Sequence, residues 1–136
     1  MKTERLKFNT GRSRQIVDLT GDVQKFVQGE GDGLLSVSVP HATAGLALME
    51  LGSGSEADLW DRLDAIMPRE DRYVHSHGSK GHGADHLLPV FIAPTLTLPV
   101  IDGKVSLGTW QSLVMVDPNV DNPNRQVVLA FLSSSD

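Results

Sequence analysis

The segment from Tyr73 to Leu88 reads YVHSHGSKGHGADHLL and holds His75, His77, His82 and His86, four of the five histidines in the chain. The fifth, His41, stands in the phrase VPHATAGLALME. Imidazole is the commonest protein ligand for transition metals and the side chain that titrates nearest neutrality. Three readings of the cluster follow: a metal site, a metal-free acid/base site, or a polar loop. His75 and His77 are two apart and share a face in a strand. His82 and His86 are four apart and share a face in a helix, although Gly83 between them disfavours helix. Asp85, beside His86, is placed to orient an imidazole. Joined by His41, which follows a strand end, three imidazoles would leave an open coordination position, the arrangement of a catalytic zinc site. The spacing matches no sharp metal motif such as HExxH.

Other phrases carry polar chemistry among small or apolar residues. In PHATAG, Ala42, Thr43, Ala44 and Gly45 let backbone approach a ligand closely, and Thr43 adds a hydroxyl. A plain turn between strands is the alternative. Glu50 ends an apolar run, where a carboxylate is costly unless it is paired, faces a site or reaches the surface. Trp110 beside Gln111 offers a flat stacking surface with an amide reader, or else Trp110 is core. Arg125 opens the last apolar run, and a guanidinium there either grips phosphate or is a solvated charge.

The elements that must position these residues are strand-rich. Thr3 to Phe8 and Arg14 to Leu19 read as strands about a turn at Gly11. In the second, Ile16 and Asp18 face one way, Val17 and Leu19 the other. Thr20 or Asp22 caps a short helix with Val23, Phe26 and Val27 on one face. Leu34 to Val39 and Ala44 to Leu51 read as strands. Ser55 caps an amphipathic helix through Met67, with Ala57, Trp60, Leu63 and Ile66 at helical spacing. The glycines of the histidine segment predict a loop, and a short helix starts near Ala84, limited by Pro89. Asp102-Gly103 between Thr95–Val100 and Lys104–Leu107 predicts a hairpin. Ser112 to Val116 and Gln126 to Leu132 are the last strands, joined by the polar loop DPNVDNPNR. The sum is an α+β fold: one compact domain over residues 1–136, a largely antiparallel sheet and two or three helices.

Composition narrows the function class. Twelve basic against seventeen acidic residues give a net charge of −5, which argues against a nucleic-acid binder that neutralises phosphates. There is no cysteine, so a metal must be held by nitrogen and oxygen ligands. No apolar run reaches the roughly 20 residues of a membrane span, and the start MKTERLKFNT has no signal-peptide core. A cytoplasmic protein is expected.

In order and spacing, PHATAG with a following Glu50, YVH, ADH, LTLPVIDGKVSLGTWQ and NRQVVLAFL resemble the YjbQ-like family, also known as the secondary thiamine-phosphate synthase family. The resemblance covers nearly the whole chain. It implies a YjbQ-like α+β fold assembled as a homotrimer with clefts between subunits. It also implies a weak transferase activity on small phosphate substrates, joining hydroxymethylpyrimidine diphosphate to thiazole phosphate. Carried onto matching positions, it implies a His-lined site with His41, His75 and His86 as metal ligands and catalytic groups. Zinc is the expected metal there, and Mg²⁺ would accompany a diphosphate. Glu50 becomes a general base, and Thr43, Gly45, Trp110, Gln111 and Arg125 bind substrate. His77 and His82 fall where the family commonly has other residues and receive no role. A metal-dependent hydrolase or a noncatalytic metal- or small-molecule-binding trimer is the alternative.

Overall fold

The computed structural model describes residues 1–136 apart from 71 and 76. Its strands are β1 (Lys2–Asn9), β2 (Gln15–Asp18), β3 (Gly33–Ser38), β4 (Gly45–Met49), β5 (Thr95–Ile101), β6 (Lys104–Val105), β7 (Ser112–Asp117) and β8 (Asn124–Ser133). The helices are α1 (Thr20–Val27), α2 (Ser55–Ile66), α3 (His82–Asp85) and α4 (Leu88–Phe91). The strands form a five-stranded sheet ordered β1-β8-β3-β5-β6 and a three-stranded sheet ordered β2-β7-β4. Every pairing is antiparallel. The α+β expectation holds.

Two apolar layers explain the stacking. Leu35, Val37, Leu98, Val127, Leu129 and Phe131 of the larger sheet meet Leu46, Leu113 and Met115 of the smaller one, with Val23, Phe26 and Val27 of α1. The far face of the smaller sheet, with Val114 and Val116, carries Leu63 of α2, Met67, Ala84 and Leu88. β7 is therefore buried on both faces, which is why its sequence is a continuous apolar run rather than an alternation. β2 alternates as expected, with Val17 toward the first layer and Ile16 toward the second.

Several local expectations shift. Thr20 does not cap α1; its hydroxyl accepts the Leu113 N–H at 2.9 Å and ties the helix to β7. Ser55 is the first residue of α2 and Gly54 its cap, while the Glu56 carboxylate accepts the Gly52 N–H at 3.1 Å. On α2, Ile66 is exposed and Met67 turns inward instead. The hairpin turn falls at Asp102 and Gly103, both with positive φ, but β6 is only two residues long. The helix expected near Ala84 is split into α3 and α4, the break falling before Pro89.

One crossing needs a missing side chain. Gly45 opens β4 against the segment leading into β5, where the Leu46 N–H donates to the Ala93 carbonyl at 2.8 Å. A Cβ on Gly45 would lie 2.0 Å from the Ile92 carbonyl oxygen. Among the described residues, no helix is long and apolar enough to cross a membrane.

Candidate functional site: a histidine cleft

α3 is a single turn, and it brings His82 and His86 onto one face with their Nε2 atoms 3.0 Å apart. His75 comes from the preceding loop, its ring centroid 4.2 Å from that of His86 and 5.2 Å from that of His82. The loop lies this close because α3 has a glycine where it passes: a Cβ on Gly83 would sit 2.7 Å from the Tyr73 Cβ and 3.0 Å from the His75 carbonyl oxygen. Each of His75, His82 and His86 offers a ring nitrogen within 4.8 Å of the other two. That is the spacing of three donors around one ion.

A carboxylate beside His82 sets which of its nitrogens is protonated. The Asp121 carboxylate lies 3.0 Å from His82 Nδ1, so Nδ1 carries the proton and Nε2 presents its lone pair. Asp121 is itself fixed by the Ser79 N–H at 3.2 Å, and hydrogen bonds from Ser79 hold its carboxyl below the usual range. His75 Nδ1 is the one buried side-chain nitrogen or oxygen without a hydrogen bond among the described residues. Burial, then repulsion from His75, His82 and His77, lowers the His86 pKa. Burial, then His77 and His82, lowers that of His75. Both shifts favour the neutral ring, the form that metal ligation requires.

Asp85 does something other than orient His86. It is 1% exposed and forms an ion pair with Arg69 at 2.5 Å. The pair pins α3 from below. Burial raises the Asp85 pKa and Arg69 opposes that rise.

His82 and His86, though not His75, open onto a cleft of about 390 Å³ lined also by His41, Thr43, His77, Asn119, Asp121 and Arg125, among others. His41 is on this wall, but its Nε2 accepts the Gln126 N–H at 2.9 Å. Only Nδ1–H remains to face a ligand. Burial first, then the Arg125 charge, lowers its pKa, while Asp117 opposes. His41 therefore shares the cleft without joining the three-nitrogen cluster, whose third member is His82.

Arg125 is likewise more engaged than its place at a strand start suggests. It is in phase with Val127, Leu129 and Phe131, the inward stripe of β8, and is 3% exposed. Its Nε and Nη2 donate to the two oxygens of Asp117 at 2.6 and 2.9 Å, and Nη2 donates to the Thr43 hydroxyl at 2.7 Å. Thr43 is buried in that role. Gly45 is buried at the Ile92 crossing. Glu50 is exposed just past β4 and Trp110 is 75% exposed; neither lines the cleft. The Gln111 side-chain oxygen accepts the Gly108 N–H at 2.8 Å.

The residues that sequence reasoning passed over are His82 as a cluster member and Asp117, Asn119 and Asp121 as its supports. A signal for the last three was present in DPNVDNPN. Asp and Asn side chains cap backbone N–H groups two residues on. Here Asp117 accepts from Asn119, Asn119 from Asp121 and Asn122, and Asn122 from Asn124. The succession winds the loop so that Asp121 meets His82.

The comparisons agree with this architecture. The family model for YjbQ-like UPF0047 proteins matches residues 4–134. A UPF0047 protein of Mycobacterium tuberculosis is 57% identical over 97% of this chain and 98% of its own length. A crystal structure of a hypothetical protein from Aeropyrum pernix superposes with a TM-score of 0.87 at 31% identity, covering 98% of this chain and all of that one. A YbjQ-like protein of unknown function from Sulfolobus solfataricus, at 22% identity and a TM-score of 0.88 over 98% and 97% of the two chains, shares the fold. By sequence and fold alike, the chain belongs to the YjbQ-like UPF0047 family.

Proposed function

We propose that His75, His82 and His86 hold a divalent transition metal, zinc by the chemistry of the donor set, and that the chain is a metal-dependent enzyme acting on a small anionic substrate. The observation that carries this reading is the convergence of three imidazole nitrogens within 4.8 Å, one of them backed by a carboxylate. When bound, such an ion supplies Lewis-acid activation of the kind used in hydrolysis. The chain's own groups do the rest. Asp121 keeps His82 in one tautomer and orientation. His41 donates from Nδ1 to a substrate oxygen, its Nε2 being held by Gln126. Glu50 does not line the cleft, so the acid/base position falls to His41.

Joining hydroxymethylpyrimidine diphosphate to thiazole phosphate, which the family resemblance implies, is the second reading. What favours it is Arg125 at the cleft wall, whose Nη1 is in no hydrogen bond among the described residues, beside the Asn119 and Asn122 amides. Mg²⁺ would then accompany the diphosphate. In either reading the chain works in the cytoplasm as a homotrimer. The exposed Leu87, Val90 and Phe91, next to His86 in sequence, support an assembled state.

The test is elemental analysis of untagged protein purified without chelator, followed by zinc titration. We expect about one metal per chain in wild type. His82→Ala and His86→Ala lose it, and His41→Ala keeps it. Wild type that neither carries nor takes up metal sinks the reading. Metal-dependent turnover is then sought with phosphate and carboxylate esters, and separately with the two thiamine precursors.

A further inference from the structure

His77 is the one imidazole of the segment that the three-nitrogen cluster leaves out. Its ring centroid nevertheless lies 4.0 Å from that of His75 and 5.0 Å from that of His82. It is exposed, lines the cleft, and has no hydrogen bond among the described residues. Its neighbours are anchored. His82 is held by Asp121, and His86 is at the end of a turn pinned through Asp85 and Arg69.

We propose that His77 is a displaceable fourth ligand: it caps the three-histidine site when no anion is present and withdraws when one enters. The inference rests on the metal reading above and adds to it a competition for the same position. Three nitrogen donors leave a fourth place on a tetrahedral ion. A ring that already contacts two of the three donors reaches that place by side-chain rotation, without refolding the loop. Because His77 is exposed and lines the cleft, the same rotation decides whether the position faces an imidazole or the solvent. No hydrogen bond among the described residues holds the His77 ring away from the ion or against it, so the cap yields to a ligand of moderate affinity. The site would therefore favour anions that bind the ion directly over water and weakly coordinating neutral compounds, which do not repay the loss of the imidazole.

The experiment uses the full chain loaded with Co²⁺, whose visible absorption reports coordination number and donor set, with azide as the probe anion. Wild type is compared with His77→Ala and with His77→Asn, which keeps a polar side chain without an imidazole. A cap in place about nine-tenths of the time weakens apparent anion affinity about tenfold, so both variants should bind azide about tenfold more tightly than wild type. Their azide-free spectra should also differ from that of wild type, while cobalt is retained. If all three proteins hold cobalt with the same spectrum and the same azide affinity, the cap is refuted and the metal site stands. If the variants lose cobalt that wild type keeps, His77 is a permanent ligand and displaceability is refuted. If wild type takes up no cobalt, both readings fall together.

Discussion

The cluster at the ends of β7 and β8 and the histidine segment both bring polar nitrogen out of bulk water, and they treat it in opposite ways. Arg125 and Asp117 sit on strands and Thr43 in the turn before β4, and the two Arg125 nitrogens that face this cluster are matched by Asp117 and Thr43 oxygens. The histidines sit on a loop and a single helical turn, crowd within about a ring width, and leave the His75 Nδ1 without a partner among the described residues. A satisfied network inside the core specifies structure. Imidazoles crowded this closely, one of them with a buried nitrogen unpartnered among the described residues, are arranged for something they bind. Asp121 and Asn119 link the two regions, because the loop leaving Asp117 is the one that reaches His82.

The comparison is broken most directly at Arg125. Arg125→Ala strands the Asp117 carboxylate in a site that is 0% exposed, which should cost about 3–5 kcal/mol. Urea unfolding reads the loss, and a change under about 1 kcal/mol would mean the pair is not buried as described. The same measurement on His86→Ala should show much less in metal-free buffer. The contrast should reverse with zinc: at a hundredfold excess over Kd, wild type gains about 2.7 kcal/mol, His86→Ala gains none, and chelator abolishes the difference.

A finer cut falls at Asp121. Asp121→Asn keeps the loop's size and removes the charge behind His82, and zinc affinity should drop about 10- to 100-fold by competition titration. An unchanged affinity would show that Asp121 serves the loop alone. Acid should also separate the regions. Burial is the first cause lowering the pKa values of His41, His75 and His86 below their ordinary 6.5. Between the lowered folded values and the unfolded one, the unfolded chain binds more protons. Stability of the metal-free protein is therefore full above about pH 6.5 and is lost as pH falls through that value and the folded ones. Urea midpoints at about pH 7.5 and about pH 5.5 should differ in that direction, and less so in a His75→Ala, His86→Ala double variant. The smallest effect is expected at Trp110. With 75% of it exposed and away from the cleft, Trp110→Ala should change stability by no more than about 0.5 kcal/mol and leave metal content alone.

Much of the fold was legible because strands and helices announce themselves by period. β2, β8 and α1 present the faces that alternation or helical spacing predicts. The misplacements have physical causes. Ile66 fits the helical spacing but is exposed, and Met67, just past the end of α2, packs toward the sheet instead. Gly45 looked like room for a ligand, and its space is taken by the Ile92 carbonyl. At the site, the histidine segment was conspicuous, but which three rings converge depends on where a loop folds back. Sequence spacing carries no information about that. Arg125 could have been read differently: an arginine in phase with Val127, Leu129 and Phe131 faces the core and needs a carboxylate, and Asp117 ends the neighbouring apolar run.

β7 has one further consequence. It forms the shared wall of both apolar layers, with Leu113 and Met115 on one side and Val114 and Val116 on the other. Neither layer can open without exposing it. Its amide protons should therefore exchange with deuterium only through global unfolding, at a single free energy shared by the helical side and the larger sheet. The amides of Gly78 to His86 belong to a separate, lower-energy opening. A metal that slows exchange there while leaving β7 at its global limit would be acting on the loop as an independent unit.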